Sequence, residues 1–125
     1  MTFVILNADF LSPFLKIQKL NCIKEFFGMD ELIVTTAVFR EISMTKLINN
    51  LIEIRWINVE EIKEESWDIK LIDKREFSEL GEGEKESILW CKKHPDSIFL
   101  INDKKARTIA WRNIIKVFGW SYLVP

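Results

Sequence analysis

Four acidic side chains stand where predicted elements of this chain begin or end, and their type and spacing could do chemistry. They are Asp9, Glu41, Glu84 and Asp103. Carboxylates that are brought together repel one another, so the pKa of each rises unless they share a cation. Hard oxygen ligands of this kind select Mg²⁺ or Mn²⁺ over zinc. A cluster of these acids would therefore be either a metal site or a source of strain.

Each acid also has an explanation that needs no chemistry. Capping and the helix dipole favour Asp and Glu at helix N-termini, so for Asp103 capping explains the residue as well as catalysis does, and Glu84 in a first turn is no surprise. Glu41 on an exposed helix face would more often be merely solvated. Only the joint placement of the acids favours a functional site.

The sequence lacks the motifs of other common active sites. Its one histidine, His94, precedes a proline, and it contains no GxSxG elbow, P-loop or dinucleotide-binding GxGxxG pattern. Cys22 and Cys91 belong to no CxxC pair, which favours a reducing, cytoplasmic location over a disulfide framework or a zinc site. The chain has no signal-peptide pattern and no apolar run long enough to cross a bilayer, so a protein without membrane contact is predicted.

Short apolar runs alternate with stretches of helical period along the chain. The predicted strands are 3–6, 32–35, 56–59, 97–101 and 114–118. The predicted helices run from Ser12 and Pro13 to Gly28 (one helix, or two broken near Asn21), from Thr36 onward, from the glycines before Ser87 to His94, and over 104–113. Residues 60–79 are rich in charge and poor in period, which predicts a helix with a loop or a mobile edge.

This alternation favours an α/β fold with a parallel sheet covered on both faces. Ligands gather at the carboxyl ends of the strands in such sheets, so three of the four acids are expected at one edge. The chain of 125 residues, 48% of them hydrophobic, is long enough for one core without disulfides.

The net charge of −1 hides an acidic middle and a basic last third. Four basic residues lie beside Asp103 on one predicted helix: Lys104, Lys105, Arg107 and Arg112. A basic helix face of this kind can bind an anionic partner. A solvated helix face explains them equally well.

Four segments together resemble the PIN-domain ribonucleases, the fold of VapC-type toxins, and in particular a prokaryotic branch of small stand-alone PIN proteins. They are residues 4–11, 38–42, 80–88 and 100–107, with Ala110 after the last. The last two segments are fairly specific in their order and separation, whereas the first two alone are weak. The resemblance implies a single PIN-like domain over residues 1–125, a three-layer sandwich whose central, mainly parallel sheet is flanked by helices. Members of this branch often continue with another helix, where this chain ends at Pro125.

In that family an acidic quartet at the carboxyl edge of the sheet binds Mg²⁺ or Mn²⁺. The resemblance implies that Glu41, Glu84 and Asp103 are catalytic metal ligands. Asn7 stands where the family has its first aspartate, and Asp9 lies two residues further on. An asparagine can ligate through its carbonyl oxygen but supplies no charge, so metal affinity and water activation should both fall. Three alternatives stay open: Asp9 turns in as a ligand, Asn7 serves as a neutral ligand, or the fold persists without the reaction.

The resemblance implies a cytoplasmic Mg²⁺- or Mn²⁺-dependent endoribonuclease acting on single-stranded RNA. Because the acids would repel this substrate, its phosphates are expected to be bound by Lys104, Lys105, Arg107 and Arg112. Its finer implications are the toxin of a toxin–antitoxin pair, an antitoxin protein as partner, and a homodimer. The apolar run from Phe14 to Phe27 could supply a partner surface, and burial within the monomer explains it as well. Because of Asn7, the alternative is a catalytically impaired PIN domain that binds nucleic acid or protein. A phosphoacceptor receiver domain needs paired acids after the first strand and a mid-chain aspartate, which the sequence lacks.

Overall fold

The chain folds as an α/β sandwich around one parallel sheet. The structure is a computed structural model that describes residues 2–63 and 73–119. Its elements, in order, are β1 (Val4–Leu6), α1 (Ala8–Lys16), α2 (Leu20–Phe26), β2 (Leu32–Thr35), α3 (Thr36–Ser43), α4 (Ile48–Ile52), β3 (Ile57–Glu60), α5 (Lys74–Ser78), α6 (Glu82–Lys93), β4 (Ile98–Leu100), α7 (Lys104–Arg112) and β5 (Lys116–Phe118).

The five strands lie in the order β3-β2-β1-β4-β5, and every neighbouring pair is parallel. The first strand is central, because Ile5 pairs with Ile33 of β2 on one side and with Phe99 of β4 on the other. Since all strands run the same way, their carboxyl ends meet at one edge of the sheet. The predicted parallel α/β architecture is confirmed.

The side chains of β1 alternate between two hydrophobic cores. Val4 and Leu6 pack with apolar residues of α1, α2, α3 and α4, whereas Ile5 packs with those of α5, α6 and α7. All three residues are fully buried. A strand covered on both faces has no polar side to expose, which is why β1 reads as an unbroken apolar run. Helices on both faces give the three layers of the predicted sandwich.

The first helix begins earlier than the sequence predicted. Asn7 is the N-cap of α1, and Pro13 lies inside the helix, so the predicted start at the Ser-Pro pair is wrong. A proline within a helix has no N–H to donate to the carbonyl four residues earlier, here that of Asp9. That carbonyl instead accepts a hydrogen bond of 3.3 Å from Nδ2 of Asn102, beyond β4. The helix therefore continues past its proline with the freed acceptor satisfied from outside.

Other boundaries also differ from the predictions. Of the two alternatives for the first helical stretch, the structure has two helices, and they separate at residues 17–19, slightly before Asn21, where Gln18 adopts a φ of 56°. The N-cap of α3 is Thr35 instead of Thr36, since its side chain accepts a hydrogen bond from the Val38 N–H. The short helix α4 was not predicted.

The region predicted as a helix with a loop or a mobile edge contains the short helix α5. Asp73 caps it by accepting hydrogen bonds from the N–H groups of Arg75 and Glu76. Two stretches lie outside the described residues, namely 64–72 and 120–125. The second of them contains the C-terminal end that was expected to be shortened relative to the family. The last strand starts two residues later than predicted, because Ile114 has a φ of 63° and cannot extend it. None of the described helices combines the length and apolar character that a membrane span requires.

Candidate active site

The carboxyl edge of the sheet gathers the acidic residues singled out in the sequence. Asn7 directly follows β1, and its backbone N–H donates to the Leu100 carbonyl of β4 at 2.9 Å. Burial and then the charges of Asp103, Asp9 and Glu41 raise the pKa of Glu84, so these three acids lie within electrostatic range of Glu84. The structure therefore brings together residues that are far apart in the sequence.

The side chain of Asn7 is buried beside these acids. The residue is only 5% exposed, and Oδ1 has no hydrogen-bond partner among the described residues. A buried amide oxygen without a donor costs free energy, on the order of 1–3 kcal/mol. Such an atom in a native protein calls for an explanation, and an unpaired oxygen can act as a ligand of a cation.

Glu41 reaches the same space from α3. A Cβ atom added to Gly83 would lie 2.7 Å from Oε1 of Glu41, 3.0 Å from Cγ2 of Val38 and 3.7 Å from Oδ1 of Asn7. The first distance is shorter than Cβ contacts in proteins and the second is tighter than most of them, so a side chain at this position would force the Glu41 carboxylate and Val38 to shift. Desolvation by burial, followed by the charge of Asp9, raises the pKa of Glu41.

Glu84 stands in the first turn of α6. Its Oε1 accepts a hydrogen bond of 3.1 Å from the N–H of Gly81, the N-cap residue. Burial raises the pKa of this carboxyl more than the hydrogen bond from Gly81 lowers it, and the neighbouring acids raise it further. Glu84 thus both caps its helix and faces the other carboxylates with its charge only partly compensated.

Asp9 is held by the loop that follows β4. Its Oδ1 accepts from the N–H of Asn102 at 3.1 Å, and its Oδ2 accepts from the N–H of Asp103 at 2.7 Å. With the bond from the Asn102 side chain to the Asp9 carbonyl, three hydrogen bonds join the first turn of α1 to this loop. Both oxygens of Asp9 are engaged in orienting the backbone that carries Asp103.

Asp103 is the N-cap of α7. Its Oδ2 accepts from the Ala106 N–H at 2.9 Å, so the capping role considered from sequence is present. The residue is exposed, which leaves its carboxylate accessible to solvent and to ligands. Capping and ligand binding are compatible here because a carboxylate has more acceptor sites than one N–H occupies.

The four basic residues of α7 divide into two pairs. Lys105 binds Glu79 at 2.8 Å, which raises the lysine pKa, and Arg112 binds Glu76 at 2.8 Å. Lys104 and Arg107 form no ion pair with any residue in the described ranges. The guanidinium of Arg107 fills the space beside Gly119 that a Cβ would occupy. Since Gly119 follows β5, this guanidinium lies at the carboxyl edge of the sheet.

The donor atoms at this edge suit a hard cation in kind, since all of them are oxygens and Oδ1 of Asn7 is unpaired. Within residues 2–63 and 73–119, however, no group of three or more His, Cys, Asp and Glu side chains is close enough to hold a metal ion. Metal binding would therefore require the acidic side chains to move closer together.

Sequence reasoning missed the part that Gly83 plays. Its signal is the Gly-Glu-Gly-Glu run within segment 80–88, which predicts a helix start and Glu84 but not the close approach of another helix. It also missed that Asn102 supplies two of the three hydrogen bonds to Asp9.

The comparison with known families agrees with this architecture. A family model described as a PIN domain matches residues 3–124, whereas no curated protein matches the chain. PIN domains are in general nucleases that depend on a divalent metal and act on nucleic acids. The parallel sheet, the acids at its carboxyl edge and a match over nearly the full length lead to one conclusion: the chain belongs to the PIN-domain family.

Proposed function

We propose that this protein is a Mg²⁺- or Mn²⁺-dependent endoribonuclease that hydrolyses phosphodiester bonds of single-stranded RNA. The observation that carries the proposal is the buried, unpaired Oδ1 of Asn7 beside carboxylates whose pKa values are raised. Raised carboxyl pKa values and an unsatisfied oxygen are both relieved by a shared cation. No comparable arrangement of oxygens is found elsewhere in the part of the chain that the structure describes.

In this proposal Asn7, Glu41, Glu84 and Asp103 hold the metal. When bound, the cation activates water and offsets negative charge at the scissile phosphate. Glu41 and Glu84 supply charge from the two helices that meet at Gly83, and Asp103 supplies it from the start of α7. No side chain of this set needs to act as a nucleophile.

Of the alternatives left open by the sequence, the geometry favours Asn7 as a neutral ligand. Its oxygen is unpaired, whereas both oxygens of Asp9 accept backbone hydrogen bonds. Asp9 then acts as a positioning residue for Asp103 and adds negative charge near Glu41. The negative charge that Asn7 lacks is thus partly replaced by that of Asp9, although Asp9 does not itself bind the metal in this proposal.

Lys104 and Arg107 are the cations best placed to bind the RNA backbone. Neither is paired with an acid among the described residues, and Arg107 lies at the carboxyl edge. Lys105 and Arg112 stay in the proposal as weaker contacts, because Glu79 and Glu76 must first release them. Each phosphate contact adds affinity that falls as salt rises.

The proposal extends to the toxin of a toxin–antitoxin pair, supported by the sequence resemblance to VapC-type toxins. Within the apolar run from Phe14 to Phe27, Leu15, Leu20 and Ile23 are buried in the monomer, but Ile17 and Phe26 are 60% and 64% exposed. In this proposal these two exposed side chains contact an antitoxin protein or a second copy of the chain in a homodimer. Growth arrest on expression, lost with Asp103→Asn, tests the toxin role; unimpaired growth with soluble protein contradicts it.

The nuclease is tested by cleavage of labelled single-stranded RNA with Mg²⁺, with Mn²⁺ and with a chelator. Asp103→Asn keeps a good capping residue but removes a charged ligand, and we expect cleavage to fall by about 100-fold or more. Asn7→Asp adds the missing charge and should raise activity. Asp30→Ala, an exposed acid before β2 at the opposite edge, is the control and should cleave as the wild type does.

The second candidate is a PIN fold that binds nucleic acid or protein without cleaving it. Asn7 favours this candidate, since a neutral residue lowers the charge available to a metal. A wild type that does not cleave RNA, together with an Asn7→Asp variant that does, would establish the binding candidate. Cleavage that is equal in the wild type and Asp103→Asn would refute the nuclease site proposed here.

A further inference from the structure

Glu86 lies two residues beyond Glu84 on α6 and takes no part in the site described so far. Its Oε1 accepts a hydrogen bond from the backbone N–H of Ala37 at 3.0 Å. Ala37 belongs to the first turn of α3, 49 residues earlier in the sequence. A side chain of one helix therefore caps another helix, and α3 is the helix that carries Glu41.

The start of α3 depends on this contact. The first N–H groups of a helix have no partner within the helix and need acceptors from elsewhere. Thr35 serves the N–H of Val38 at 3.4 Å, and Glu86 serves that of Ala37 at the shorter distance. Ala37 is only 4% exposed, so water has little access to replace the carboxylate. A negative charge at this position is also favoured by the helix dipole.

Glu86 and Gly83 lie one turn apart on the same face of α6. Gly83 meets Val38 and Glu41, while Glu86 meets Ala37, so α6 contacts α3 at two points. The glycine determines how closely the helices approach, because no Cβ separates them. The hydrogen bond from Ala37 determines where along α6 the first turn of α3 stands. Two contacts one turn apart restrict both sliding and rotation of one helix on the other.

We propose that Glu86 is a positioning residue that fixes Glu41 relative to Glu84 and Asn7. The inference rests on the proposed function, since it concerns how the metal ligands are held together. Without the Glu86 carboxylate, the Ala37 N–H is left buried and unpaired, and α3 shifts to find another acceptor. Glu41 moves with it, and the site then loses affinity for its cation, as happens when groups that orient metal ligands are removed.

The test is direct Mn²⁺ binding to the full chain, measured by isothermal titration calorimetry, together with the melting temperature of the metal-free protein. Glu86→Ala removes the acceptor, and we expect Mn²⁺ affinity to fall by roughly 10- to 100-fold. Glu86→Gln keeps an oxygen at the same position and should bind Mn²⁺ within about threefold of the wild type. If the alanine variant does not fold, Glu86→Asp replaces it, because an aspartate side chain is one methylene too short to reach the Ala37 N–H.

Asp73→Ala is the matched control, because Asp73 caps α5 through two backbone N–H groups away from the carboxylates. It should lower the melting temperature and leave Mn²⁺ affinity unchanged, which separates loss of a cap from loss of position. Equal Mn²⁺ affinity in the wild type and Glu86→Ala overturns the inference while the proposed function stands, and so does a glutamine variant as weak as the alanine one. A wild type that binds no Mn²⁺ overturns both.

Discussion

Charged side chains meet at two helix contacts in this molecule, with opposite results. Between α5 and α7, Lys105 pairs with Glu79 and Arg112 with Glu76, and all four side chains are at least 36% exposed. Between α3 and α6, Glu41 and Glu84 carry like charges. Partial burial raises the pKa of both carboxyl groups. Oppositely charged side chains that are exposed to water compensate one another and require no further ligand. Like charges that are held close together where Gly83 lets α6 approach α3 remain uncompensated, and for this reason the α3–α6 contact is the one at which we propose a metal site.

The largest effect is expected from breaking the close approach at the α3–α6 contact. Gly83→Ala places a methyl group 2.7 Å from Oε1 of Glu41 and 3.0 Å from Cγ2 of Val38, so the Glu41 carboxylate must shift. Displacing a catalytic group by about 1 Å can cost about 100-fold in rate, so RNA cleavage should fall by that order. The measurement is kcat/KM on a short RNA.

Gly81→Ala provides the control for this variant. A Cβ at Gly81 would lie 3.6 Å from the nearest atom, Oε1 of Glu84, which is an ordinary contact. Its φ of −70° suits alanine, so cleavage should change by less than about threefold. If both alanine variants cleave alike, the spacing of α3 and α6 does not control the site.

An intermediate effect is expected from pH, which tests whether the like charges are uncompensated. Folding raises the pKa of Glu41 and Glu84 above 4.5. A carboxyl with a raised pKa binds its proton more tightly in the folded state, so its contribution to stability is complete below the unfolded value and is lost as pH rises through the folded value. The melting temperature of the metal-free protein should therefore decline, from this cause, as pH rises above about 4.5.

The double variant Glu41→Gln, Glu84→Gln isolates that contribution. It should melt at a temperature less dependent on pH than the wild type does, and Mn²⁺ at neutral pH should stabilise the wild type more than the variant. Parallel curves of melting temperature against pH for the two proteins would show that these carboxyls titrate normally.

The smallest effect is expected at the α5–α7 contact. A double-mutant cycle on Lys105 and Glu79 should give a coupling of about 0.2–1 kcal/mol in the free energy of unfolding, since both side chains are more than half exposed. The coupling should shrink in high salt. Mn²⁺ affinity should be the same in all four proteins of the cycle. A coupling well above that range, or one insensitive to salt, would remove the contrast between the two helix contacts.

The strands were predictable because burial on both faces leaves a local record in the sequence. Val4, Ile5 and Leu6 are apolar whichever core they enter, so the run itself indicates β1. The acids could be expected at one edge because parallel strands end together. These inferences needed only residue type and order along the chain.

Contacts between distant segments left no such record. Pro13 suggests a helix start unless one knows that Asn102 satisfies the carbonyl of Asp9 that this proline leaves free. Likewise, the choice between Asn7 and Asp9 depends on which oxygen is already occupied, and only the loop after β4 decides that. Residue types alone indicated a carboxylate site for a cation. The separate roles proposed for Asn7 and Asp9 required knowledge of their hydrogen-bond partners.

The position of β1 at the centre of the sheet has a consequence for the order in which the protein can be made. This strand is synthesised first, yet its partner β4 is Ile98–Leu100, near the end of the described chain. A nascent chain lacking β4 exposes one side of an apolar strand and lacks Asp103 altogether. Strands that pair over such separations assemble slowly, because a long loop must close first. The carboxyl edge of the sheet therefore cannot be completed until the ribosome has translated the chain beyond Asp103.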